Sequence, residues 1–191
     1  MINPLYEEFP EAVEAEGRSY AVITDFREWI RFSDMINDND AEPGDKIFLL
    51  SGWLTEPPEI ITKAVVNAVF EFYKASALEP ETAASGEQEK ETAIPRPPVF
   101  DWKTDAIYII ADFQRYYGID LLSCSMHWWR FKCLLTALPD DSNVKKRISL
   151  RSRDPSQIKD NEERRRILEI QRKIAVPFEY SDEAVGEMFD M

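Results

Sequence analysis

The side chains that could do chemistry in this chain are few, and their spacing does not favour it. His127 is the one histidine, and it precedes the pair Trp128-Trp129. An imidazole can move a proton near neutral pH, but catalysis requires a nucleophile or metal partner at defined reach. Its sequence neighbours are aromatic, so it reads as a helix residue making one hydrogen bond. Cys124 and Cys133 are the two cysteines. With His127 they fall short of the four ligands of a structural zinc site unless carboxylates join. Nine residues apart on one expected helix, they point to opposite faces and sit roughly 13 Å apart along the axis. A disulfide needs Cα atoms within about 7 Å, so reduced, buried thiols are expected. No CxxC, HExxH, GxSxG or P-loop pattern occurs, and the six glycines build no phosphate cradle. The expectation is a non-enzymatic protein with no catalytic residue, no metal ligand and no cofactor.

Charge offers two clusters. The acids Asp34, Asp38, Asp40, Glu42 and Asp45 have the density of a calcium loop but lack its sixth-position glycine and closing glutamate, which leaves an acidic loop. Between Lys145 and Lys173, eleven Lys and Arg face five Asp and Glu, a local +6 in a chain of net charge -13. The patch comprises Lys145, Lys146, Arg147, Arg151, Arg153, Arg164, Arg165 and Arg166. It could hold phosphate, yet the acidic remainder repels nucleic acid. Solvated helix faces or a seat for acidic protein surfaces fit it better.

The elements that position these groups are mostly helical. Residues 11–23 read as a β-hairpin: Val13 and Ala15 alternate with Glu14 and Glu16, Gly17-Arg18 makes the turn, and Tyr20 and Val22 return. Asp25, with Glu28 three residues on, starts a helix whose stripe is Phe26, Trp29, Ile30, Ser33 and Ile36. A short helix is expected at 45–54. A core helix follows at 58–77, opened by Pro57-Pro58, with Ile61, Ala64, Val65, Ala68, Val69, Phe72 and Tyr73 at spacings of three and four. Further helices are expected at 101–117, 122–138, 141–152 and 160–175. The 122–138 helix carries Met126, Trp129, Cys133, Leu134 and Ala137 on one side. Trp128, Phe131, Leu135 and Leu138 line the other, so it is either central or keeps one side for a partner.

The fold class is therefore mostly α, a bundle of six to seven helices with a small N-terminal β-hairpin. Residues 78–98 carry too little apolar area to offset the cost of ordering, and read as a disordered acidic, proline-rich insertion. They separate 1–77 from 99–177, each too small to sustain a core alone, so both halves are expected to share one. An acidic tail, 178–191, closes the chain. No apolar run approaches the roughly 20 residues that span a bilayer. The acidic start lacks the basic and apolar regions of a signal peptide.

Several stretches together resemble a known family. They are NPLYEEFPEAVEAEGRSYAVITDFREWIRF, FDWKTDAIYIIADFQRYYGIDL, MHWWRFKCLLTALPDDS, KRISLRSRDPSQIKD and ERRRILEIQRKIAVP. They are similar to the bacteriophage gene-product-fifteen family, small proteins encoded near the tape-measure gene of long-tailed phages. The likeness runs from about Ile2 to Pro177, interrupted at 78–98.

The resemblance implies a tail-assembly chaperone made in the cytoplasm of the bacterial host and absent from the mature virion. Such a protein binds the tape-measure protein and recruits the tail-tube protein around it; a homo-oligomer is compatible with that role. The partner surface expected is Trp128, Phe131 and Leu135, together with Trp53, Phe72 and Tyr73. The alternatives are a structural tail component and a nucleic-acid-binding accessory using the basic 145–173 region.

Overall fold

The computed structural model describes residues 2–78 and 97–177. The insertion, apart from its ends, and the 178–191 tail lie outside the described residues. The described chain contains seven α-helices and one two-stranded antiparallel hairpin. It divides into two compact units. The first takes 2–78 and 124–136, the second 97–123 and 137–177.

The first unit begins with β1 (Ala12–Ala15) and β2 (Arg18–Ala21), in the register Val13 opposite Tyr20 and Ala15 opposite Arg18. The turn is Glu16-Gly17, not Gly17-Arg18. Both residues have positive φ, 54° and 73°, as the primed hairpin turns with matching twist require. Val13, Ala15 and Val22 are buried.

Helix α1 (Phe26–Ile36) starts at Asp25, whose carboxylate accepts from the Arg27 amide at 2.9 Å. Its buried face is Phe26, Trp29, Phe32 and Ser33. Phe32 takes the place expected for Ile30, which is only half-buried. Helix α2 (Pro43–Leu50) begins two residues earlier than expected because Pro43 suits a first turn. It ends in a 3₁₀ turn, Ser51–Trp53.

Helix α3 (Lys63–Lys74) is shorter than the expected 58–77. The Thr62 hydroxyl caps the Val65 amide, so Pro57, Pro58 and Ile61 precede the helix. Val65, Val69 and Phe72 are its buried residues.

Helix α5 (Trp128–Thr136) also belongs to the first unit and is half the length expected for 122–138. The reason is tertiary. The Phe26 amide donates to Met126 O at 3.0 Å, and the Trp128 amide donates to Thr24 O at 2.7 Å. Asp25 and His127 thereby face each other in an antiparallel bridge that holds the chain extended up to His127. Cys124 consequently lies outside the helix that holds Cys133, and both are free and half-buried rather than buried.

The aromatic pair that follows the bridge closes the end of α3. Trp128 Nε1 donates to Tyr73 O and Trp129 Nε1 to Phe72 O, each at 2.8 Å. Lys132 Nζ donates to Lys74 O. The last carbonyls of a helix have no partner within it, and three of them here are met by one face of α5. Ala75, at φ 56°, adds its own amide to Phe72 O. Ring packing completes the core: Phe26 stacks on Phe131 at 4.6 Å and Tyr73 on Trp128 at 5.7 Å.

The second unit is built on α4 (Trp102–Tyr117), α6 (Asn143–Ser152) and α7 (Asn161–Ile174). Each has a side-chain cap, from Asp101, Ser142 and Asp160. Gly118 ends α4 in the left-handed region at φ 66°, where a side chain would be strained.

Two aspartates one heptad apart on α4 are fully buried. Asp112 accepts from the Asn143 amide, the Val144 amide and Asn143 Nδ2, at 3.1, 2.9 and 2.7 Å. It thus holds the first turn of α6, where an anion is favoured. Asp105 accepts from Arg147 Nε at 2.9 Å and from Arg151 Nη1 and Nη2 at 2.6 and 2.9 Å. Asp112 meets the start of α6 and Asp105 its later turns, so α4 and α6 run antiparallel. Helix α7 is tied in through Arg151 Nε on Ile174 O at 2.6 Å and Gln171 Nε2 on Leu150 O at 2.8 Å.

Two stability predictions follow from these contacts. Trp128→Ala and Trp129→Ala should each cost about 3–5 kcal/mol in urea unfolding, since the two side chains are 1% and 4% exposed. Trp129→Phe keeps an aromatic ring but removes the donor and part of the indole, and should cost less than the alanine variant, about 1–2 kcal/mol or somewhat more.

Asp105→Asn should cost about 3–5 kcal/mol, because it leaves two guanidinium groups without their carboxylate. Burial works against ionisation of Asp105, but the hydrogen bonds from Arg151, Arg147 and the Asp101 amide prevail and hold its carboxyl below the usual range. Its contribution is therefore complete above about pH 4 and lost as the pH falls through the lowered value. An acid-unfolding profile of Asp105→Asn should lack that component.

Candidate functional site

His127 comes first, because it is the one histidine in the chain and an imidazole can move a proton near neutral pH. Nδ1 accepts from the Trp129 amide at 3.0 Å, and Nε2 lies 3.0 Å from Pro10 O. A carbonyl only accepts, so Nε2 carries the proton and the ring is neutral. Burial pushes its pKa down, against the Pro10 carbonyl and the charge of Glu11, which act the other way. The ring also stacks on Phe9 at 5.2 Å. Both nitrogens are occupied by the fold. The Cys133 thiol is pushed up by burial, which disfavours the reactive thiolate. Among the described residues, no group of three or more His, Cys, Asp or Glu could hold a metal ion.

The six side chains expected to form a partner surface are gathered in the first unit, but mainly as its interior. Trp128, Phe131 and Phe72 are buried, and Trp53, Tyr73 and Leu135 are half-buried. Trp53 is anchored by Nε1 on Glu28 O at 2.8 Å and packs edge-on against Phe32. What faces outward lies elsewhere in the unit: Ile47, Phe48 and Leu49 on α2 are 45%, 75% and 48% exposed. The signal for them was the run Ile47-Phe48-Leu49-Leu50. Four consecutive apolar residues occupy the whole circumference of a helix, and one packed side cannot bury them all. Only Leu50 is buried.

The basic patch divides in two. Arg147 and Arg151 are bound to Asp105, and the Arg147 guanidinium also lies 4.1 Å over the Tyr108 ring. Arg153 pairs with Glu163 at 2.9 Å, and the Arg164 guanidinium donates to Ile158 O. Lys146, Arg165 and Arg166 are exposed and Lys145 is half-buried. Four of the eight cations therefore serve the second unit's own packing. The RSRD step is a structural joint: Arg151 reaches α4 and α7, Arg153 meets α7, and Asp154 caps the turn Pro155–Gln157.

A family model described as Bacteriophage Gp15 protein matches residues 5–176. The chain belongs to this family. The match spans both units, so the tryptophan cap on α3 and the aspartate pair on α4 both lie within the Gp15 region. No match was found among curated proteins or solved structures. Among the described residues of this Gp15 protein, no helix is long and apolar enough to cross a membrane.

Because folding holds His127 neutral, the first unit should weaken as the pH falls. A histidine with a lowered folded pKa contributes fully above its ordinary value of about 6.5 and progressively less below it. Thermal unfolding followed by tryptophan fluorescence should show a loss that sets in as the pH falls below about 6.5. In His127→Gln that slope should disappear.

Proposed function

We propose that this Gp15 protein is a non-enzymatic tail-assembly chaperone of a phage. It holds the tape-measure protein in the host cytoplasm before assembly and helps to bring tail-tube subunits to it. One observation carries the reading. The histidine and half of the basic patch are engaged within the fold, while large apolar side chains remain outside on a strongly acidic protein. A long helical partner exposes apolar stripes that aggregate before assembly. A soluble acidic binder with apolar surface can cover them. Membership of a phage family is consistent with this role.

Co-expression tests it. The cognate tape-measure protein should become more soluble and co-elute with this chain, and the complex should persist in moderate salt because apolar burial is not screened as ion pairs are. Charge reversal at Arg165 and Arg166 should leave the complex intact. A tape-measure protein that stays insoluble would defeat the reading. Salt-sensitive DNA binding that disappears with those arginines would favour the nucleic-acid accessory instead, and recovery of the chain from purified virions would favour a structural tail component.

A further inference from the structure

Helix α2 has one side turned into the first unit and one turned wholly away. Leu50 is buried, and Lys46 Nζ donates to Ile36 O at 3.0 Å, so these two mark the inner side. At about 100° per residue, Phe48 stands about 160° from both. Ile47 and Leu49 flank it. Four residues before and after Phe48 are Gly44, in the first turn of α2, and Gly52, in the 3₁₀ turn that follows it, and a Cβ built at either meets no atom within 4 Å. Neither glycine has positive φ. Packing among the described residues therefore asks for glycine at neither position. The result is an aromatic ring between two patches of bare backbone, open to a second surface.

The stretch of chain that carries this strip is acidic. From residue 32 to residue 62 there are seven acids, Asp34, Asp38, Asp40, Glu42, Asp45, Glu56 and Glu59, against a single base, Lys46. That base is turned inward to a carbonyl. Asp45 lies within about 60° of Phe48 on the helix. A second copy of this chain would bring the same acids to the contact. The chain's own 178–191 segment carries five carboxylates and no base. Charge disfavours both as occupants.

We propose that the Gly44–Phe48–Gly52 strip is the seat for an amphipathic helix whose apolar stripe is bordered by lysine and arginine. In this docking mode apolar anchors supply affinity, and the charged border selects partner and orientation. The assignment rests on the chaperone reading only in naming a tape-measure segment as the natural occupant.

The test uses the full chain and three labelled synthetic peptides followed by fluorescence anisotropy. One is a helix with a leucine stripe bordered by lysines. The second has glutamates for the lysines, and the third is a scramble of the first. The lysine peptide should bind about tenfold or more tighter than the other two, and Phe48→Ser should remove about tenfold of its affinity, as loss of a central aromatic anchor does. Gly44→Leu, which fills the bare strip, should weaken it similarly. Both variants should melt as the wild type does, since neither side chain contributes to packing.

Equal binding of all three peptides, or binding untouched by both variants, overturns the proposal. So does a wild-type dimer that Phe48→Ser dissolves, since the seat is then taken by a second copy. If Phe48→Ser still solubilises the tape-measure protein, the surface assignment fails and the chaperone reading stands. If the lysine peptide binds through Phe48 but wild-type protein does not hold the tape-measure protein, the surface stands and the chaperone reading fails.

Discussion

The first unit depends on how the C-terminal end of α3 is closed. Every helix leaves its last carbonyls without internal partners, and burying them unpaired would cost about 1–3 kcal/mol apiece. Here Phe72, Tyr73 and Lys74 present their carbonyls to Trp129, Trp128 and Lys132. The two indoles combine large apolar area with a single N–H donor, so the same side chains fill the core and satisfy the helix end. This contact requires α5 to be delivered in one orientation. The Asp25–His127 bridge does that by pairing the entries of α1 and α5. The neutral tautomer of His127 follows, because its two nitrogens serve the Pro10 carbonyl and the Trp129 amide.

The second unit solves a related problem at the other end of a helix. Asp112 supplies an acceptor to the first turn of α6, and Asp105 gathers two arginines from its later turns. Fully buried carboxylates are tolerated only with such complete pairing. Their separation of seven residues puts both on the face of α4 that meets α6. What looked along the chain like a basic patch for anions is in part the counter-charge to a buried acid. Cations engaged in this way are poorly placed to release counterions from a nucleic acid.

These two closures bear on function through what they leave over. The histidine and half of the basic cluster are taken up by hydrogen bonds and ion pairs of the fold. Unpacked apolar area remains on α2, where Ile47, Phe48 and Leu49 are exposed within an acidic stretch of the chain.

Local chemistry alone determined much of the helical layout. Helices α4, α6 and α7 begin and end within about two residues of the ranges expected from the sequence, 101–117, 141–152 and 160–175. Asp101, Ser142 and Asp160 hydrogen-bond their own first turns, and Gly118 ends α4 by its own conformational freedom. The family pattern was likewise legible, carried by linear motifs such as YGIDL, HWWRF and RSRD.

Tertiary structure decided the rest, wherever the deciding partner lies far along the chain. Residues 122–127 have helical sequence neighbours, but a turn at 121–123 and a strand-like pairing about 100 positions away keep them out of the helix. Arg147 and Arg151 became structural only through an aspartate more than 40 residues earlier. The inward and outward sides of the apolar 122–138 and 47–50 runs could not be read from periodicity, because a helix that is apolar all round has no preferred face. Which side is buried depends on what packs against it.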